Sequence, residues 1–217
     1  MPAIKVCGIT RIEDAEKSIE LGPQYIGLIF AQSPRQISPA DARKICKNLR
    51  ERVQFVGVFK NQDLRFVNDA ADTLGLDLIQ LHGDESSDYC RQMNHPVIKA
   101  IELVPQAAPF ESLNGAQSEL WEKLQDYPVH AYLFDRPKSL RAQHEWLRSV
   151  IEQFGSQMQS FQPFFIAGGL NAQNLDLACS LNPFAIDVAS AVESEPGIKD
   201  HKKLEEFFQA LQGAKTC

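Results

Sequence analysis

The sequence has 217 residues, of which 44% are hydrophobic and 23% are charged, as is typical of a globular protein. Its formal net charge of −6 argues against a nucleic-acid-binding protein, which usually carries a basic face, but allows a small anionic ligand in a locally positive pocket. No apolar stretch reaches the ~20 residues of a membrane span, and the N-terminus lacks the basic and then apolar plan of a signal peptide.

Eight short apolar runs recur along the chain. They are hydrophobic almost without interruption, which is typical of parallel strands buried on both faces. The runs cover residues 4–9, 25–30, 55–59, 76–83, 97–101, 130–135, 164–170 and 184–190.

Segments with helical periodicity separate these runs, and several carry start or stop signals. Ser38 and Pro39 supply an N-cap and a first helical residue. Gly22, Gly75 and Gly155 follow three of the segments, as helix stops do. The predicted helices cover 13–21, 38–49, 63–74, 84–93, 139–154, 171–181 and 200–211, and the proline-containing region 102–129 is read as a loop followed by a helix over 116–124.

The alternation of eight strands with eight helices predicts an α/β fold, namely a single-domain (β/α)8 TIM barrel spanning residues 1–217. An open, doubly wound sheet is the alternative. Such sheets usually carry a glycine-rich fingerprint after the first strand. This chain has Cys7-Gly8-Ile9-Thr10 there, which favours the barrel.

In a barrel the active site forms where the strands end, at their carboxyl termini. The residues predicted there are polar and varied: Cys7, Ser33 to Arg35, Asn61, His82, Glu102, Asp135, Gly168, Gly169, Asp187 and Ser190.

Four of these candidates have a second interpretation. Cys7 is either a base or a small buried hydrophobe. Asp135 is either an acid at the barrel mouth or a helix cap or arginine partner. Arg35 could bind a carboxylate bidentately or be solvated, and His82 could line the pocket or satisfy a backbone group.

Two neighbouring turns resemble a phosphate site. Gly168 and Gly169 let the backbone approach an anion, and a helix predicted to begin near Asn171 would point its N–H groups at it. Ser190 ends the eighth run, and barrels often bind phosphate after strands seven and eight. The alternative is a tight strand-to-helix turn without a ligand.

Together these motifs resemble the phosphoribosylanthranilate isomerase family of tryptophan biosynthesis. The resemblance implies a (β/α)8 barrel that catalyses an Amadori rearrangement of a small phosphosugar substrate without a metal or organic cofactor. It rests on KVCGIT (5–10), SPRQIS (33–38), VGVF (56–59), IQLHGDE (79–85), VIKAI (97–101), AGGLNAQN (167–174) and DVASAVESEPGIKD (187–200).

The resemblance also implies roles for individual residues. It makes Cys7 the general base, Asp135 the general acid and Arg35 the residue that holds the anthranilate carboxylate. It places the phosphate on backbone groups around Gly168, Gly169 and Ser190. We further predict that His82 and Asp187 line the substrate pocket.

Two segments depart from the family's pattern. A glycine-rich loop usually follows the strand-six aspartate, but residues 136–145 contain no glycine, so Arg136, Lys138 or Arg141 could supply phosphate contacts instead. The motif after strand eight reads Ala189-Ser190-Ala191 where the family has Ser-Ser-Gly, and Ala191 would be strained if its φ were positive.

Three functions remain open from the sequence. The first is an active isomerase with a remodelled loop, and the second is a barrel that binds a phosphorylated ligand with weak or lost turnover. The third, a related isomerase of histidine synthesis, is disfavoured by the Cys7-Gly8-Ile9 start and by Arg35.

Widely spaced cysteines without a CxxC pair predict no disulfide framework, no metal site and a cytoplasmic location. We expect no nucleic-acid or membrane partner, and a monomer or a dimer.

Overall fold

The computed structural model of the protein describes residues 1–105, 116–140, 143–161 and 163–214. Its parallel strands close into a barrel in which β1 pairs with both β2 and β8, so the barrel prediction is confirmed over the open sheet. The strands are Ala3–Cys7 (β1), Tyr25–Ile29 (β2), Gln54–Phe59 (β3), Leu78–Leu81 (β4), Val97–Glu102 (β5), Ala131–Asp135 (β6), Phe164–Ile166 (β7) and Ala185–Val188 (β8).

The helices surround the barrel, and a small hairpin follows β8. The hairpin consists of Glu193–Glu195 (β9) and Ile198–Lys199 (β10). The helices are Ile12–Glu20 (α1), Pro39–Leu49 (α2), Leu64–Leu74 (α3), Ser87–Arg91 (α4), Ala116–Gln125 (α5), Gln143–Met158 (α6), Leu175–Ser180 (α7) and His201–Gly213 (α8).

Several helix ends follow from the caps that the sequence contains. The Ser38 hydroxyl accepts a hydrogen bond from the Asp41 N–H at the start of α2. The Asp63 carboxylate caps α3, which ends at Gly75 in the left-handed conformation, with φ of 61°.

Two helices are shorter than predicted because side chains capture the preceding turns. The segment from Asp84 to Ser86 does not join α4, since the Asp84 N–H donates to the Asn61 side chain at 2.7 Å. The Asn174 side chain accepts from the Asn171 N–H at 2.8 Å, and α7 begins only at Leu175. Short polar side chains compete with the helix in this way.

Helix α6 lies further along the chain than predicted. Its first residue is Gln143 rather than Ser139, which lies in a turn. The helix also continues through Gly155 to Met158. A glycine inside a helix costs only about 1 kcal/mol relative to alanine, so the apolar face that buries Phe154 and Met158 outweighs it.

Strand alternation determines which residues face the barrel interior. Ala131 and Leu133 of β6 belong to the cluster inside the barrel, whereas Tyr132 and Phe134 pack outside against the helices. The same alternation places Lys5 and Cys7 on the interior face of β1, because Ile4 and Val6 lie in the outer cluster.

One cysteine differs from the prediction that the chain has no disulfide framework. Cys7, Cys46 and Cys90 are free and buried, but Cys179 is disulfide-bonded. None of the helices in the described part of the chain is long and apolar enough to cross a membrane.

Candidate active site

Cys7 is the last residue of β1, and its thiol lies over the neighbouring strand. The residue is only 5% exposed. A Cβ atom at Gly27 of β2 would lie 2.7 Å from the Cys7 sulfur, so the thiol occupies this position only because residue 27 is a glycine. The predicted base is thus packed into the barrel mouth rather than exposed on a loop.

A buried ion pair accompanies the thiol. Lys5 precedes Cys7 by two residues on the same interior face, and its ammonium lies 3.0 Å from the Asp187 carboxylate of β8. Burial raises the pKa of the Cys7 thiol, and the adjacent Lys5 ammonium opposes that rise. Burial by itself disfavours the charged form of Lys5, but Asp187 and Cys7 outweigh it and raise the pKa of Lys5. A positive charge is therefore available to stabilise a thiolate.

Asp135 is the last residue of β6 and lies beside His82. The distance from His82 Nε2 to Asp135 Oδ2 is 3.3 Å, and the Arg136 N–H donates to Asp135 Oδ1 at 2.7 Å. His82 Nδ1 lies 3.1 Å from the amide nitrogen of Gln80. With that amide donating, Nδ1 is the acceptor and Nε2 carries the proton that faces Asp135.

Asp187 connects the two ends of the site. Burial raises the pKa of Asp187, the Lys5 ammonium opposes this, and Asp135 adds to the rise while His82 lowers it. These interactions place Asp187 within electrostatic range of both the cysteine side and the aspartate side of the mouth. The sequence predictions for Cys7, His82, Asp135 and Asp187 therefore converge on one interior region.

Arg35 also reaches this end of the barrel, where its guanidinium is paired with a carboxylate and only partly exposed. Its guanidinium forms a bidentate pair with Glu193, with Nη2 at 2.7 Å from Oε2 and Nε at 2.9 Å from Oε1. The Glu193 carboxylate also accepts from Lys199 at 3.0 Å. Neither partner was predicted from the sequence.

The glycine turn after β7 has the predicted backbone but not the predicted helix. Gly168 and Gly169 have φ values of 99° and 88°, so both adopt the left-handed conformation. The helix near Asn171 is wrong, because the following turn is held by Asn174 and α7 has six residues. Arg136 lies against this turn, with Nε donating to the Gly168 carbonyl at 3.2 Å.

The segment after β8 and the loop after β6 carry the other residues that were predicted at this end of the barrel. Ser190 begins a short 3-10 turn directly after β8, next to the turn after β7 because the two strands pair. Ala191 lies within that turn and is not among the described residues with positive φ, so the proposed strain is absent. Arg141 lies outside the described residues, and no contact of Lys138 supports a phosphate role.

A second buried ion pair supports the loop that carries His82. Lys99 of β5 donates to Glu85 Oε2 at 2.8 Å and to the Gly83 carbonyl. The Glu85 carboxylate also accepts from the backbone N–H groups of Asn61 and Gly83, at 2.8 and 2.9 Å. Both charged side chains are 2% exposed. This pair connects β5 to the loops that follow β3 and β4 at the mouth of the barrel.

Replacing Lys99 with methionine should lower the free energy of unfolding at neutral pH by about 3–5 kcal/mol, because Glu85 is left buried without its counter-ion. Burial acts to raise the pKa of Glu85, but Lys99 and the backbone donors outweigh it and lower that pKa. Stabilisation by a carboxylate with a lowered pKa is present above its unfolded value and is lost as pH falls through the folded value. The difference between Lys99→Met and the parent should therefore shrink on acidification.

Urea denaturation between neutral and acidic pH measures this effect. The double variant Lys99→Met/Glu85→Leu should recover most of the lost stability, because it removes the unpaired charge. A single variant as stable as the parent at neutral pH would contradict the role of the pair.

Four residues of the site went unpredicted: Lys5, Gln80, Glu193 and Lys199. Lys5 gave a readable signal, because a lysine within an apolar strand must find a buried partner. Gln80 likewise is a polar residue within an apolar strand, two residues before His82. Glu193 and Lys199 belong to a motif quoted for the family resemblance, but nothing in their spacing identifies Arg35 as their partner.

Residues 4–210 match the model of the family described as N-(5'phosphoribosyl)anthranilate (PRA) isomerase. The N-(5'-phosphoribosyl)anthranilate isomerase of Geotalea uraniireducens is 36% identical over 98% of this chain and 100% of its own length. The enzyme of that name from Citrifermentans bemidjiense is 39% identical over 94% of each chain.

Solved structures agree with these relatives. The phosphoribosyl anthranilate isomerase of Thermotoga maritima superposes with a TM-score of 0.82 at 33% identity, covering 98% of this chain and 100% of its own. A phosphoribosyl anthranilate isomerase in complex with reduced 1-(o-carboxyphenylamino)-1-deoxyribulose 5-phosphate superposes with a TM-score of 0.79 at 33% identity, with the same coverage.

Proposed function

This chain belongs to the N-(5'-phosphoribosyl)anthranilate isomerase family, and on that premise we propose that Cys7 and Asp135 divide the proton transfers of its reaction. The protein catalyses the Amadori rearrangement of N-(5-phosphoribosyl)anthranilate to 1-(2-carboxyphenylamino)-1-deoxyribulose 5-phosphate in tryptophan biosynthesis. The observation that carries the assignment is the pairing of Cys7 with Lys5 and of Asp135 with His82 within one barrel mouth.

Asp135 opens the ribose ring. It donates a proton to the ring oxygen while the bond from that oxygen to C1′ breaks and the amine nitrogen forms a double bond to C1′. His82 supports this step, because its Nε2–H faces Asp135 Oδ2 at 3.3 Å and stabilises the carboxylate that forms when Asp135 gives up its proton. The product of the step is an open-chain iminium ion.

Cys7 carries out the second transfer. The positive iminium acidifies the C2′–H bond, the thiolate removes that proton, and the electron pair forms a C1′–C2′ double bond. The enolamine then loses its hydroxyl proton and gains a proton at C1′, which yields the ketone. Lys5 favours the reaction because its ammonium stabilises the thiolate in a buried environment. One proton passed back from Cys7 to Asp135 through solvent restores both groups.

The phosphate of the substrate fits the turns that follow β7 and β8. The left-handed backbone at Gly168 and Gly169 allows close approach of an anion. Arg136 lies against the same turn and supplies a positive charge beside it. Ser190 completes the site from the neighbouring strand.

Replacing Arg35 with alanine should raise KM by about tenfold or more while kcat changes little, because the guanidinium binds the anthranilate carboxylate in both ground and transition states. Steady-state kinetics measure this split. Arg65 provides the matched control, because it is an arginine of α3 that is 90% exposed. An unchanged KM in Arg35→Ala would remove the carboxylate role.

One assay separates turnover from the alternative, a barrel that only binds a phosphorylated ligand. Anthranilate condensed with ribose 5-phosphate is supplied to the purified protein, and the loss of its fluorescence is followed. We expect turnover by the unaltered chain. Binding of the reduced product without any turnover would favour the alternative and contradict the proton-transfer roles.

We propose that residues 1–217 act as one catalytic domain in the cytoplasm, where a thiol base stays reduced. The free thiols of Cys7, Cys46 and Cys90 support this location, whereas the disulfide at Cys179 does not. We propose a monomer, with a dimer as the alternative, since the relative from Thermotoga maritima is described as dimeric.

A further inference from the structure

The contacts of Glu193 determine which edge of the Arg35 guanidinium remains free. Glu193 accepts from Nε and Nη2, which form one edge of the planar fork. Among the described residues none accepts from the other edge, formed by Nη1 and the outer N–H of Nη2, and the two donors of that edge have the spacing that a carboxylate matches. The Arg35 side chain is 24% exposed, whereas that of Glu193 is 4% exposed. Of the two side chains, the arginine is therefore the one that is accessible to a ligand.

We propose that Glu193 is a positioning residue that sets substrate specificity by orienting Arg35, so that the Nη1–Nη2 edge faces the carboxylate of the aromatic amine. This inference rests on the proposed role of Arg35 as the carboxylate ligand. A preorganised guanidinium loses less rotational freedom on binding than a free one. Glu193 therefore contributes to affinity only for a substrate that carries the carboxylate.

Lys199 fixes Glu193 from its other side. The lysine side chain is fully buried, and its ammonium donates to Glu193 at 3.0 Å, to the Cys7 carbonyl at 2.6 Å and to the Ala189 carbonyl at 3.3 Å. These bonds fix the position of the Glu193 carboxylate relative to the ends of β1 and β8. The arginine that binds the carboxylate therefore has a fixed position relative to the thiol that removes the proton.

The charges of this group also suit an anionic substrate. Arg35 and Lys199 are positive and Glu193 is negative, so the three side chains together keep one net positive charge. Glu193 orients the arginine without cancelling the attraction of the group for a carboxylate. The path of Arg35 also depends on Gly8, where a Cβ atom would lie 2.8 Å from the arginine Cδ.

The test uses two ligands that differ only in the carboxylate. One is reduced 1-(o-carboxyphenylamino)-1-deoxyribulose 5-phosphate, and the other is the same compound without the carboxyl group. In Glu193→Gln we expect the affinity for the first ligand to fall about tenfold and that for the second to stay within about twofold by calorimetry. In kinetics KM should rise about tenfold while kcat changes by less than about threefold.

Asp14→Asn is the matched control for a purely structural effect. Asp14 is a fully buried carboxylate that accepts from the Lys199 backbone N–H at 3.0 Å. Its replacement should lower stability and leave the ratio of the two ligand affinities unchanged. If Glu193→Gln fails to fold, Glu193→Asp keeps the charge but withdraws the carboxylate, and it should move the same ratio in the same direction.

The ligand affinities of the two variants distinguish the positioning role of Glu193 from the carboxylate-binding role of Arg35. Equal losses for both ligands, or no loss for either, in the glutamate variant would overturn the positioning role of Glu193. If Arg35→Ala binds both ligands as the parent does, the carboxylate role of Arg35 itself fails. If Arg35→Ala loses affinity for the carboxylated ligand alone while the glutamate variant does not, Arg35 keeps its role and Glu193 loses its own.

Discussion

Cys7→Ala should lower kcat by about 10²–10⁴-fold and leave the affinity for the reduced product nearly unchanged, because the variant loses only the group that removes the C2′ proton. Cys7→Ser should be almost as inactive, since the serine hydroxyl has a far higher pKa than a thiol and supplies almost no deprotonated base at that position. Burial raises the pKa of Cys7, so kcat/KM of the parent should follow the thiolate fraction and increase above neutral pH. The alanine variant should lose that increase.

Cys46→Ala is the matched control for this substitution. Cys46 is also a free, buried cysteine, but it lies on α2 away from the barrel mouth, and burial raises its pKa to about 11. Its removal should leave kcat within about twofold of the parent. A Cys7→Ala variant that keeps more than about a tenth of the parent kcat would rule out the cysteine as the base.

The elements that the sequence predicted correctly depend on signals within a few residues of each other. Each strand contains a continuous apolar run, and the side chains of Ser38 and Asp63 cap their helices through N–H groups two or three residues away. The predicted starts of α4 and α7 were wrong because distant or non-helical partners capture their first residues. Asp84 binds Asn61, which is 23 residues away, and no local pattern contains that information.

The same distinction applies to the active site. The positions of Cys7 and Asp135 follow from the rule that a barrel places its chemistry at the strand ends. Their environments do not, because they depend on pairs formed across the barrel. Arg35 meets Glu193 across 158 residues of sequence, and Lys5 meets Asp187 across 182. Spacing along the chain is therefore sufficient to propose the reacting groups but not the residues that orient and charge them.

The kinetic isotope effect of deuterium at C2′ distinguishes the two proposed proton transfers. Deuterium at C2′ slows only the step that breaks the C2′–H bond. In a cysteine variant that step limits the rate, so the isotope effect should be full. In an aspartate variant ring opening limits the rate, so the isotope effect should approach unity.

Asp135→Asn should lower kcat by about 10²–10⁴-fold with little change in product-analogue affinity, and its isotope effect at C2′ should vanish. Asparagine keeps the size of the side chain and an oxygen that can accept from the Arg136 N–H, but it has no acidic proton to deliver to the ring oxygen. Asp72→Asn is the matched control, because Asp72 forms a comparable pair with His95 at 2.8 Å outside the site. An aspartate variant with full activity, or one that is slow but shows a full isotope effect, would assign ring opening to another group. His82 is then the candidate, since its Nε2 lies 3.3 Å from the Asp135 carboxylate.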